Sequence, residues 1–174
     1  MTANGESIES GLDAIIVYDN LEAGKSAKQL CDRLAEIIGP GWRFNIGVWS
    51  FSVLQIPEVM QLAARQAACL PLIIVAADGR HDFPSAVKTW MGMVVAQKES
   101  GPSALVAQLH GIAQECKEEA PPYTHLKKIA QHAGMDFFPS IVRSIECDEY
   151  YTQESIQERA HKRTTILDAI LERG

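Results

Sequence analysis

Two short stretches concentrate side chains able to hold anions, ligate metals or move protons: Asp19-Asn-Leu-Glu-Ala-Gly-Lys-Ser26 and Ala77-Asp-Gly-Arg-His-Asp-Phe83. The first could cradle a phosphate. A helix starting there would present free backbone N–H groups and the positive end of its dipole, and Asn20, Lys25 and Ser26 would add donors. The carboxylates of Asp19 and Glu22 stand against that use, and Asp19, Asn20 and Ser26 are also residue types that simply cap helices. The second stretch offers Asp78, Gly79, Arg80 and His81. His110-Gly111 adds an imidazole of the kind that serves as a general acid near neutral pH.

Three further chemistries overlap these residues. Asp19 to Ser26 matches the phosphate loop G-x-x-x-x-G-K-[ST] except that Asp19 replaces the first glycine, where the backbone must come close to phosphate. Ile73 to Asp78 would then be the acidic strand of a nucleotide triphosphatase. A receiver-domain reading pairs Asp19 with Asp78 as metal ligand and phosphoacceptor, but His110 stands where Ser or Thr is required, and the Lys needed near the last strand is missing. Asp78, His81, Asp82 and His110 show no ligand spacing, and isolated His and Asp more often make surface hydrogen bonds than hold metals. No metal is expected.

These loops need a scaffold, and composition bounds it. The 174 residues are 47% apolar and 22% charged with a formal charge of −6, which describes an ordinary globular domain. No run of Lys or Arg exceeds a pair, so nucleic acid is not an expected partner, since backbone binding needs clustered cations. Cys31, Cys69, Cys116 and Cys147 form no C-x-x-C pair, which fits free thiols in a reducing compartment. No apolar stretch is long enough for a membrane span, and the polar residues 1–12 read as a flexible lead-in without leader character. The expectation is a cytoplasmic protein with one domain over residues 13–174.

Apolar runs at Ala14–Tyr18, Leu72–Ala76 and Ala104–Leu109 predict buried strands, and Arg43–Trp49 alternates like an edge strand. Met135–Val142 contains Pro139, which also belongs at an edge. Between them, residues 23–38 and 57–67, the stretch after Pro84, and Leu126–Ala133 carry helical spacing. For the second helix the spacing places Val59, Leu62, Ala63 and Ala67 inside. Tyr150–Arg173 predicts a closing helix. Strict β-α alternation implies a parallel sheet covered on both faces. Only the strand order 2-1-3-4-5 puts both edge-like strands at edges, giving a three-layer flavodoxin-like α/β sandwich whose ligand crevice lies at the carboxyl ends of the first and third strands.

At those positions the chain resembles the flavodoxin-like flavin reductases that use NAD(P)H. In that family the loop after the third strand reads like T-P-E-Y-N-x-x-x-P-x-x-L-K-x-x-x-D-W; here it is Ala76-Ala-Asp-Gly-Arg-His-Asp-Phe-Pro-Ser-Ala-Val-Lys-Thr-Trp90, with Asp78 at the acidic position, Pro84 at the second proline and Val87-Lys88 at the Leu-Lys pair. Ala77 and Gly79 replace the proline and aromatic that hold the flavin ring, and His110-Gly111-Ile112 lacks the family's glycine pair. The resemblance implies FMN as cofactor and NAD(P)H as co-substrate, with Asn20, Lys25, Ser26, Asp78, Gly79, Arg80, His81, His110 and Gly111 around the flavin. The replaced loop residues imply the alternative, a cofactor-free interaction module on the same scaffold. The third helix carries Val87, Trp90, Met91, Met93, Val94 and Val95, and Met93 falls outside a single sheet-facing stripe. That surplus, with the family's habit of pairing near the flavin, implies a homodimer through this helix.

Overall fold

The computed structural model describes residues 10–142, all within the unit Met1–Arg143. The first nine residues, Cys147 and the helix expected over Tyr150–Arg173 lie outside the described residues. Strands and helices alternate: β1 (Ser10–Tyr18), α1 (Leu21–Ile38), β2 (Trp42–Ser50), α2 (Pro57–Cys69), β3 (Leu72–Asp78), α3 (Ser85–Gln97), β4 (Ala104–His110), α4 (Pro121–Ala133) and β5 (Asp136–Val142). Short 3-10 turns occupy Val53–Gln55 and Gln114–Glu119. The sheet is wholly parallel in the order β2-β1-β3-β4-β5, the expected flavodoxin-like sandwich.

Successive side chains of a strand point to opposite faces, so the two-sided apolar runs must be covered twice. Ile15, Val17, Ile73, Val75, Leu105 and Leu109 pack under α2, α3 and α4. Ala14, Ile16, Leu72, Ile74 and Ala76 pack on the other face, against Ala23, Ala27 and Cys31 of α1. Asp136 and Pro139 lie in β5, and β2 is exposed along much of its length, so both strands expected at the edges are there.

Three expectations are corrected. β1 starts at Ser10 rather than after residue 12, because β2 pairs with it over nine residues and the side chain of Asn45 donates to Asp13 Oδ1 at 2.9 Å. α2 buries Ala63, Ala64, Ala67 and Ala68, while Leu62 is 53% exposed; the buried face of this helix is made of alanine, which admits close approach to the sheet. Met93 of α3 is not a free surface methionine, since it packs, partly buried, against the same core as Val87, Trp90, Met91 and Val94. The apolar surplus of α3 is therefore partly taken up by the fold.

One buried polar side chain tests the energetics. Gln108 in β4 is fully buried, its Nε2 makes only long contacts to the Ser26 carbonyl and hydroxyl (3.4 and 3.3 Å), and its Oε1 has no partner among the described residues. Replacing such a group by an apolar one of similar shape removes a desolvation penalty along with a weak bond. Gln108→Met is expected to change unfolding free energy by less than about 1 kcal/mol, whereas Leu105→Ala, in the same strand on the other face of the sheet, should cost about 2–5 kcal/mol by leaving a cavity. Urea denaturation of both variants measures the contrast.

Candidate functional site

The carboxyl ends of β1, β3 and β4 meet where the strand order reverses, and the sequence-predicted residues gather there. α1 begins at Leu21, only two residues after the candidate phosphate stretch opens. Asn20 is its N-cap: the extended backbone at Asn20 lets Oδ1 accept the Ala23 N–H at 3.0 Å. Leu21, Glu22 and Ala23, which would have to form the open loop ahead of Gly24-Lys25-Ser26, are consequently helical already. This removes the phosphate-loop reading, because residues meant to wrap a phosphate as open loop are spent in the first turns of α1. Ser26 faces inward to Gln108, and Lys25 remains exposed to solvent.

β3 ends on Asp78, and the chain closes over it. Arg80 donates through Nη2 to Oδ2 at 2.7 Å and through Nε to Oδ1 at 3.0 Å, and its own backbone N–H donates to Oδ1 at 2.9 Å. His81 Nδ1 lies 3.4 Å from Oδ2. The Arg80 guanidinium, by hydrogen bonding, holds the Asp78 carboxyl down at about 2, well below the usual carboxylate range. In the receiver reading this carboxylate would take the phosphoryl group; here it is engaged by its own loop.

Two glycines make that closure possible. Gly111 has φ +77° and a Cβ there would meet Arg80 Nε at 3.0 Å, so the arginine lies across the glycine to reach Asp78. A Cβ on Gly79 would meet Ile112 at 3.0 Å, and the Gly79 N–H donates to the His110 carbonyl at 2.8 Å. His110 sits beside Asp78 in the β3–β4 register, with its Nε2 buried and unpartnered among the described residues. Burial, opposed by Asp78 and Glu22, keeps this imidazole below its ordinary range and thus neutral at pH 7.

The rest of the loop is pinned by contacts that residue-type reasoning missed. Lys88 Nζ reaches back from α3 to Asp82 Oδ2 at 2.6 Å, while Asp82 Oδ1 accepts the Phe83 N–H at 2.8 Å. The Lys88 hydrogen bond lowers the Asp82 carboxyl. Phe83 stacks edge-on against Phe51 and against His125 of α4, each at 5.9 Å between ring centroids. A Lys six residues after an Asp, across a Pro that starts a helix, was the available signal; Phe51 and His125 had none, being distant in sequence.

Among the described residues no group of three or more His, Cys, Asp or Glu could hold a metal ion. Of the three side-chain donors expected for an FMN phosphate, Asn20 caps α1 through its oxygen while remaining exposed, Ser26 faces Gln108, and Lys25 is exposed to solvent. The space at Gly79 and Gly111 is filled by Ile112 and Arg80, so neither glycine opens a cradle. Two concavities open elsewhere, on the β2 side: one of about 360 Å³ lined by Asp13, Asn45, Gly47 and Gln66, and one of about 580 Å³ lined by Trp49, Leu62, Arg65 and Gln66. No family model matches the chain, and no curated protein matches it.

The pairings above set the pH response. A carboxyl depressed in the folded state stabilises fully above its unfolded value near 3.8, and that contribution fades as pH falls toward about 2. Because Arg80 is 54% exposed, solvent screening reduces the Asp78 pair to about 1 kcal/mol. Imidazoles depressed by burial act in the same direction at higher pH: His110 and His125 stabilise above the ordinary imidazole value, and the gain is lost as pH falls through and below it. Urea midpoints measured against pH should decline in two stages, Arg80→Ala flattening the acid stage and His110→Gln the stage below about pH 6.5.

Proposed function

We propose that this chain is a cofactor-free interaction module built on a flavodoxin-like scaffold. The observation that carries the reading is the closed crevice: Asp78 is clamped by Arg80, Arg80 lies across Gly111, Asn20 caps α1 and Ser26 faces Gln108. A site for a diffusible ligand needs a concave surface with polar groups left over to meet it. Here those groups meet one another. Such a module acts through its surface, and its loop end serves to hold the strands' carboxyl ends in one fixed arrangement. The free thiols of Cys31, Cys69 and Cys116 suit a cytoplasmic setting. No helix among the described residues is long and apolar enough to cross a membrane.

The second reading, an FMN-binding oxidoreductase drawing electrons from NAD(P)H, keeps the support of the strand order and of the Pro84-Ser-Ala-Val87-Lys88 stretch. In that reading Lys25, Arg80 and the α1 N-terminus would meet the phosphate, and the bound flavin would supply the redox chemistry. Titration separates the two. Purified protein is expected to be colourless, to leave FMN fluorescence unquenched, and to melt at the same temperature with and without excess FMN. Saturable quenching would overturn the module reading, and so would a stabilisation approaching the roughly 2.7 kcal/mol that a ligand at a hundred times its Kd confers.

A further inference from the structure

We propose that the connection between β3 and α3 is a proton-operated latch: uptake of a proton by His125 of α4 frees Phe83 and lets the connection open. The latch goes beyond the proposed function and is independent of it, because it concerns what governs closure of the loop end, whatever that end meets when open.

Past Arg80 the connection is held by contacts that run in series. Lys88 Nζ donates to Asp82 Oδ2, Asp82 Oδ1 accepts the Phe83 N–H, and the buried Phe83 ring lies edge-on between Phe51 and His125. His125 thus forms the α4 side of the space that Phe83 fills. Its ring is half-buried, and its Nε2 is buried with no hydrogen-bond partner among the described residues. A neutral imidazole tolerates that placement, since the tautomer protonated on Nδ1 leaves only a bare acceptor at Nε2. An imidazolium carries an N–H on both nitrogens, and one of them would be buried without an acceptor.

Charge points the same way. The charged groups facing His125 are Lys88 of α3, Asp82 of the connection and Lys128 of its own helix, while Phe51 and Phe83 bring none. A third cation would have to share the one carboxylate that Lys88 already holds. Burial first and Lys88 next keep the imidazole below its ordinary range, outweighing Asp82. Linkage then fixes the sign: a ring that binds its proton more weakly in the closed form than in water drives opening as pH falls below the ordinary imidazole value. The ion pair that opposes this is weak, because Lys88 is 39% and Asp82 51% exposed.

Nuclear magnetic resonance of the full chain tests the latch. Hydrogen exchange of the Phe83 amide, corrected for its intrinsic pH dependence, should accelerate below about pH 6.5 by up to about tenfold per pH unit, the most that one proton can drive, and level off where the His125 ring titrates. The contact between the Phe51 and Phe83 rings should weaken over the same range, which a change of charge without movement would leave intact. Leu105 and Val106 of β4 should stay protected, so that opening is local. His125→Phe keeps a ring against Phe83 but binds no proton, and should abolish the acceleration. Acceleration that persists in this variant overturns the proposal. So does a Phe51–Phe83 contact unchanged when His125 is protonated, or protection of Leu105 lost in step with that of Phe83. Should His125→Phe fail to fold, the unaltered chain still decides, since a plateau away from the His125 midpoint is equally fatal.

Discussion

β3 governs this structure, because six of its seven residues are buried and none of its apolar side chains can face water on either side of the sheet. A strand so placed requires a neighbour on each edge and a helical layer on each face, and parallel neighbours require crossovers long enough to be helices. The order β2-β1-β3-β4-β5 answers that requirement with α1 on one face and α2, α3 and α4 on the other. The central position of β3 also places its final residue, Asp78, at the one point where crossovers diverge. What happens at Asp78 therefore decides whether the fold has an open crevice.

The crevice is closed by local means. Arg80 and Asp78 are two residues apart, Lys88 and Asp82 six, so both ion pairs are formed by the β3–α3 connection within itself. Exposed pairs of this kind contribute little to global stability. Their effect is positional: together with the edge-on contacts of Phe83 they leave the connection few alternative paths. The half-buried His110 beneath them is held neutral at pH 7 and forms no metal-ligand set with its neighbours among the described residues. Chemistry at this end of the sheet would require the chain first to give up contacts it makes with itself.

The fold was legible because its signals are ones of period and punctuation. Apolar runs at Ala14, Leu72 and Ala104, alternation after Arg43 and the proline at 139 each report burial on two faces, on one, or at an edge, and those classes admit one strand order. The site was legible only as a location. Residue types at Asn20, Ser26 and Arg80 suit a phosphate, yet which way each turns depends on a helix starting at Leu21 and on a glycine at 111 that lets an arginine cross it. Neither is a matter of composition. Leu62 and Met93 were misassigned for a related reason: a helical stripe gives the burial of an isolated helix, whereas α2 approaches the sheet on alanines and α3 is flanked by two other helices.

That alanine face of α2 carries a consequence for how chains of this kind diverge. Ala63, Ala64, Ala67 and Ala68 are buried to 2% exposure or less, so any larger side chain there would lift the helix from the sheet, and with it Gln66, which receives the Trp49 indole N–H at 2.9 Å. The loops, by contrast, are held by exposed pairs that many other residue combinations could replace. Over evolutionary time the loop residues would drift while the small-residue rhythm A-A-x-x-A-A persisted. The ancestry of this molecule is then written in a helix that performs no chemistry, and distant kin would be traced by what α2 lacks.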